Sequence, residues 1–213
     1  MPDPLKRTHS VRVGKNGLVK TRRWVPMAAG AAAFVLTLFV GGIVGTDWLA
    51  RNIEMDRLVI AIEQSEAAMG VVQDRVGVVF DQLDGDPTLE DAPTDGETAA
   101  AVGELAAIAV DGEAAISAAG REIASLNILP WHSDIQAARE AYLLHNYAWQ
   151  AYMQSAIEDP LAFTVEQKLV NDTFIDAEEP LLNAVPVPEL FDLLARVQKI
   201  FDEGAPQVDG DVI

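Results

Sequence analysis

The chain has 213 residues, no cysteine and a formal net charge of −18, with half of its residues apolar. That length holds one ordinary domain with extensions, and without cysteine any exported domain is held by its own core or by partners, not by disulfides. The charge is unevenly divided: residues 1–45 carry Lys6, Arg7, Arg12, Lys15, Lys20, Arg22 and Arg23 against Asp3 alone, a net +6, which leaves −24 for the remainder. No aromatic residue is interleaved with the basic ones before Trp24, which argues against a nucleic-acid arm.

The first predicted element is the junction between head and body. Val25 to Gly45 (VPMAAGAAAFVLTLFVGGIVG) contains no charge. At about 1.5 Å per residue this run spans roughly 30 Å, the hydrocarbon thickness of a bilayer. A cleaved signal peptide is the rival reading, but its apolar region runs only about 7–15 residues, so a retained signal-anchor is expected. Trp24 and Trp48 flank the run, where amphipathic rings favour the headgroup level. The basic residues place 1–24 in the cytoplasm as a tail able to touch anionic lipid, 25–45 as a single-pass transmembrane helix, and everything beyond outside the cell membrane. Within the span, Ala29, Ala33, Thr37, Gly41 and Gly45 recur every four residues. Thr37, Gly41 and Gly45 carry the signal for helix packing in the membrane, through self-association or another membrane protein.

Beyond the span the apolar period is helical. Leu58, Ile62, Ser65, Met69, Val72, Val76, Val79 and Leu83 alternate steps of three and four, which predicts a helix continuing from the membrane to about residue 83. An acidic, Pro- and Gly-containing loop, 84–96, interrupts it. A second helix carries Val102, Leu105, Ala109, Gly112, Ile116, Ala119, Ile123 and Leu126 on one face and stops before Pro130. A third is expected from Asp134 to about Ile157, a fourth from Val165 until Pro180 and Pro186 end it, and a short fifth from Pro188. TDGE (Thr94, Glu97), SDIQ (Ser133, Gln136) and TVEQ (Thr164, Gln167) fit the capping box at three of these starts. With no alternating strand pattern, the fold class is all-α: a transmembrane helix leading into an extracytoplasmic antiparallel bundle of four to five helices over 46–203, with 204–213 as a flexible tail.

Chemistry-bearing residues concentrate in one stretch, LPWHSDIQAAREAYLLHNYAW, residues 129–149. His132 and His145 lie roughly 18 Å apart along a helix axis, too far to share an ion, and neither has the Glu-x-x-His spacing of di-iron bundles. Tyr142, His145, Trp149 and Tyr152, spaced 3, 4 and 3, share one helix face. That face reads either as a bundle seam or as a contact for a partner or ligand. His132 beside Ser133 does not make a nucleophile and base, since adjacent residues rarely orient that way and no oxyanion-hole motif accompanies them. The acidic loop has Leu89 where a calcium loop needs glycine, and Asn171 of NDT falls on a predicted helix.

The sequence therefore predicts no catalytic residues, no metal and no cofactor. Its expected function is a membrane-anchored, non-enzymatic interaction module, an accessory or scaffolding subunit of a cell-envelope complex. Its partners are membrane lipid and a second membrane protein or another copy, not nucleic acid. The alternative is an extracytoplasmic small-molecule sensor that signals through a partner.

Overall fold

The computed structural model describes residues 24–84, 94–165 and 167–204, with side chains in the first helix described from residue 42 to residue 83. Five helices follow in order: α1 (Trp24–Asp84), α2 (Asp95–Ser125), α3 (Ser133–Glu158), α4 (Lys168–Ala184) and α5 (Leu193–Gly204), with a 3-10 turn at Pro160–Thr164 between α3 and α4. There is no strand among the described residues. The chain divides into two units, Met1–Val44 and Gly45–Ile213.

Of the first unit, the described part is helical backbone from Trp24 onward. No helix among the described residues is long and apolar enough to cross a membrane. Residues 25–41, most of the expected span, lie outside those whose side chains are described, as do Thr37 and Gly41 of the packing stripe. The basic tail up to residue 23, positions 85–93 of the acidic loop and the tail beyond Gly204 also lie outside the described residues.

The second unit is a helical bundle centred on α3, which packs against α2 on one side and α4 on the other. Its core falls into two clusters. The one nearer residue 45 joins Met55, Leu58 and Ile62 of α1 to Ile135 and Tyr142 of α3, Leu181 of α4 and Val197 of α5. The other joins Met69, Val72 and Val79 of α1 to Ile108 and Ile116 of α2 and to Trp149 and Met153 of α3. The apolar stripes read from the sequence of α1 and α2 are the faces that meet here, because the helical period puts those residues on one side of each cylinder. Burying these side chains supplies the main drive for assembly, about 1.5–3 kcal/mol for each large one.

Small residues set the spacing of α2 against its neighbours. A Cβ on Gly112 would sit 3.0 Å from the Met153 sulfur, and one on Gly120 would fall 2.2 Å from Asn146 Oδ1. Asn146 is fully buried. Its amide nitrogen donates to the Ile116 carbonyl of α2 at 3.1 Å and approaches Ser65 Oγ of α1 at 3.5 Å, while its oxygen accepts from Gln150 at 2.6 Å. Arg196 clamps α5 to α1, with Nε and Nη2 donating to the two oxygens of Glu63 at 2.9 and 2.7 Å and Nη1 donating to Asp56 at 2.6 Å. Those acids hold the guanidinium charged still more firmly than usual.

Several local expectations are corrected. The capping box forms only at α2, where Thr94 Oγ1 accepts from the Glu97 N–H and Glu97 accepts from the Thr94 N–H; these bonds lower the Glu97 carboxyl below its usual range. At α3 the cap position is His132, with no side-chain cap bond, and Gln136 reaches instead to the Leu129 carbonyl at 3.0 Å. Thr164 lies in the 3-10 turn and donates to Leu161, so α4 begins three residues after Val165, at Lys168. Pro180 does not end α4, which continues to Ala184. Pro188 lies in a loop, and α5 starts at Leu193. In that loop the Val187–Pro188 bond is cis, and Phe191 and Asp192 take positive φ values of 69° and 51°.

Candidate functional site

The aromatic face of α3 is placed inward. Tyr142, His145 and Trp149 are buried and Tyr152 is half-buried. They form a run of edge-on ring contacts that continues from Tyr152 to Phe163, and tilted contacts extend it from His145 to Phe174 and Phe201, with centroids 4.8–6.4 Å apart, the range of favourable aromatic pairing. The polar tips are matched one by one. Trp149 Nε1 donates to His145 Nε2 at 3.1 Å, and His145 Nδ1 donates to the Val170 carbonyl at 3.1 Å. Those two bonds select the neutral ring protonated at Nδ1, since Nε2 must accept. The Tyr142 hydroxyl donates to Glu66 Oε1 at 2.6 Å, an oxygen that also lies 3.5 Å from His145 Nε2. Burial first, and then the Glu66 carboxylate, push the Tyr142 hydroxyl well above its usual value.

His145 and Trp149 also form the floor of a groove of about 570 Å³ bounded by α1, α3, α4 and α5. Phe174 and Ile200 extend the floor; Glu63, Glu66, Arg196 and Lys199 are among the charged residues around it. A smaller cavity of about 250 Å³ lies beneath Tyr152 and Phe163, beside Val76 and Phe80. The four residues expected to act together are therefore contiguous. Two of them, His145 and Trp149, line the larger space, and Trp149 and Tyr152 line the smaller one.

The second histidine neighbourhood lies at the corner between α2 and α3. His132 is fully buried, with Nδ1 2.6 Å from Glu54 Oε2 and Nε2 3.1 Å from Asp47 Oδ1. Both ring nitrogens thus face carboxylate oxygens of α1, and a nitrogen that carries a proton donates to the acid beside it. Glu54 accepts further from the Leu129 N–H at 3.2 Å, and Asp47 from Trp131 Nε1 at 2.8 Å. Asp47 is accordingly lowered, first by the Trp131 bond and then by His132. Arg51 pairs with Asp134 next to this corner.

The sequence set His132 apart by its distance from His145 and did not reveal its acid partners, which lie 78 and 85 residues away. One signal was present: Asp47, Glu54 and Leu58 are seven and four residues apart, so both acids continue the buried stripe of α1. Glu66 and Arg196 were not singled out either, since a charge beside an apolar stripe resembles any solvated face. No group of three or more His, Asp or Glu among the described residues is placed to hold a metal ion. In the membrane stripe, Gly45 is exposed and a Cβ there would meet nothing within 4 Å.

No protein-family model, curated protein or solved structure matches the chain.

Proposed function

We propose that the chain is a single-pass membrane protein with an extracytoplasmic helical bundle, and that the bundle is a non-enzymatic interaction module, an accessory or scaffolding subunit of a cell-envelope complex. Its membrane attachment rests on the uncharged run Val25–Gly45 and on the division of charge about it. One observation carries the non-enzymatic reading: both histidines of the bundle spend their ring nitrogens on internal ties, one between two carboxylates and one between a carbonyl and an indole. A general base needs a nitrogen within reach of a substrate proton, and these two are committed to the bundle itself.

The test is resistance to alkaline extraction, followed by sizing of the chain purified from membranes in mild detergent. The expected result is a membrane-retained protein that runs as a self-assembly or with a stoichiometric partner, and that Gly41→Ile with Gly45→Ile reduces to the lone chain. A wild-type protein that is released by alkali, or that is a clean monomer in mild detergent, overturns the proposal.

A second reading, a small-molecule sensor signalling through a partner, draws on the groove. Its volume is within the range of ligand sites, and it combines an aromatic floor with a few charged groups. Trp149 lines the groove and reports on it, so its fluorescence and the thermal midpoint of the full chain are read across a metabolite panel. Uniform silence removes this reading.

A further inference from the structure

The end of the bundle nearest residue 45 carries two loops. The α2–α3 corner is tied to α1 through Trp131 to Asp47 and His132 to Asp47 and Glu54. The α4–α5 loop is tied to the same stretch of α1: Trp48 Nε1 donates to the Pro188 carbonyl at 2.7 Å, and the Leu190 N–H donates to Asn52 Oδ1 at 2.6 Å. Asn52 is fixed in turn by donating to the Trp48 carbonyl at 3.0 Å. Both loops are thus held at residues 47–54 of one helix.

What these loops expose is apolar. Trp131 is 64% exposed, Val187 92% and Phe191 50%, and Leu49 and Leu194 beside them are also exposed. Phe191 is held outward on a left-handed backbone, which a bulky residue adopts only under constraint. The constraint comes from both sides: Leu190 is bonded to Asn52, the Arg196 N–H donates to the Asp192 carbonyl at 3.1 Å, and the Leu194 N–H donates to Glu189 at 2.6 Å. Strain spent on presenting a phenyl ring to water has no return within the bundle.

Gly45, the last residue of the uncharged run, lies on the same helix as Asp47, about 3 Å away along its axis. An amphipathic indole and apolar loop tips so close to the end of a bilayer-spanning segment are suited to the headgroup layer. We propose that this end of the bundle rests on the membrane, with Trp131, Val187 and Phe191 inserted in the interface of the bilayer that Val25–Gly45 crosses. The inference rests on the spanning reading given above. The charged groups at this end are Asp47, the Arg51–Asp134 pair, Glu189 and Asp192, with His132 buried between Asp47 and Glu54. That acidic balance makes the contact apolar and suited to zwitterionic lipid, not an attraction to anionic headgroups.

The chain has no cysteine, so single spin labels can be placed at will. Labels at Val187→Cys, Leu144→Cys and Phe34→Cys are compared in the full chain reconstituted in phosphatidylcholine bilayers, by accessibility to oxygen and to a water-soluble nickel complex. Leu144 is exposed on α3 and serves as the aqueous reference. The expected result is that the label at 187 loses nickel access relative to 144 and gains oxygen access, intermediate between 144 and 34. Equal nickel access at 187 and 144, with 34 shielded, overturns the resting face and leaves the span intact. If 34 is as open to nickel as 144, the span fails and the inference falls with it. Trp131→Ser with Val187→Ser, at exposed positions, is expected to restore nickel access at a label on Phe191→Cys; an unchanged label there counts against insertion as a unit.

Discussion

The two histidine neighbourhoods show how one side chain serves opposite ends in one bundle. His132 sits where two helices turn, and both of its ring nitrogens are bonded to acids of α1. His145 sits in the middle of α3, where its neutral ring passes a hydrogen-bond chain from an indole to a carbonyl. The first is a tie to carboxylates whose worth depends on both partners being present. The second is a packed aromatic network in which the hydrogen bonds align rings that burial already holds. Geometry decides the difference: at the corner the backbone of 126–132 leaves two α1 carboxylates within hydrogen-bond reach, while in the bundle centre the bonded groups are an indole and a helix carbonyl and the nearest carboxylate, Glu66, stands off at 3.5 Å.

The comparison can be broken first at its two strongest points. Trp149→Ala is expected to cost about 3–5 kcal/mol in denaturant unfolding, through the cavity left in the second cluster. If the fold survives unchanged while an assembly is lost, the aromatic face is a contact surface after all. His132→Ala is expected to cost a similar amount, about 3–5 kcal/mol, for a different reason: the Glu54 carboxyl is left buried without the imidazole it is bonded to. Glu54→Gln made in the His132→Ala background should recover part of that loss, and no recovery would sink the account of a stranded carboxyl.

Smaller effects sharpen the contrast. Gly120→Ala, which drives a methyl into the Asn146 amide, is expected to cost about 1–3 kcal/mol in thermal or denaturant unfolding. Glu66→Gln, by contrast, keeps an acceptor for the Tyr142 hydroxyl at a partly exposed site and is expected to cost under about 1 kcal/mol. A loss as large as that of His132→Ala would mean that the central network depends on its carboxylate as the corner does. The smallest effect is one of pH. Asp47 is depressed in the folded protein, so its contribution is complete above its ordinary value of 3.8 and is lost as the pH falls through the lowered value. Trp131 emission should follow that loss, and Asp47→Asn should abolish the acid-side change.

Much of the bundle was legible in the sequence, because period and burial are the same fact seen twice. The α1 residues Leu58, Ile62, Ser65, Met69 and Val72 and the α2 residues Leu105, Ala109, Gly112, Ile116 and Ile123 are buried as their spacing implied. Cap signals were weaker: of three S/T-x-x-E/Q matches only Thr94–Glu97 closes, since Gln136 finds a nearer carbonyl and Thr164 is taken into a 3-10 turn. Proline was read too strongly as a terminator, as Pro180 lies inside α4. Of the candidate site, the contiguity of Tyr142, His145, Trp149 and Tyr152 followed from helical spacing alone. Their partners Glu66, Val170 and Phe174 did not, because nothing local ties residues 25 or more positions apart. The same distance hid the acids around His132.

Asn146 has a consequence for how this fold excludes its neighbours in conformational space. Helices as rich in alanine as α2 can slide past a partner by one turn and lose little apolar contact. A single buried amide that must find the Ile116 carbonyl, with Gly120 hollowed out to admit it, has only one alignment in which it is satisfied. A slipped pairing would strand its donor in the core at about 1–3 kcal/mol. The residue thus acts as an alignment pin, and Asn146→Leu should give a protein that is still helical but populates more than one register, visible as broadened or doubled side-chain signals in place of a single sharp set.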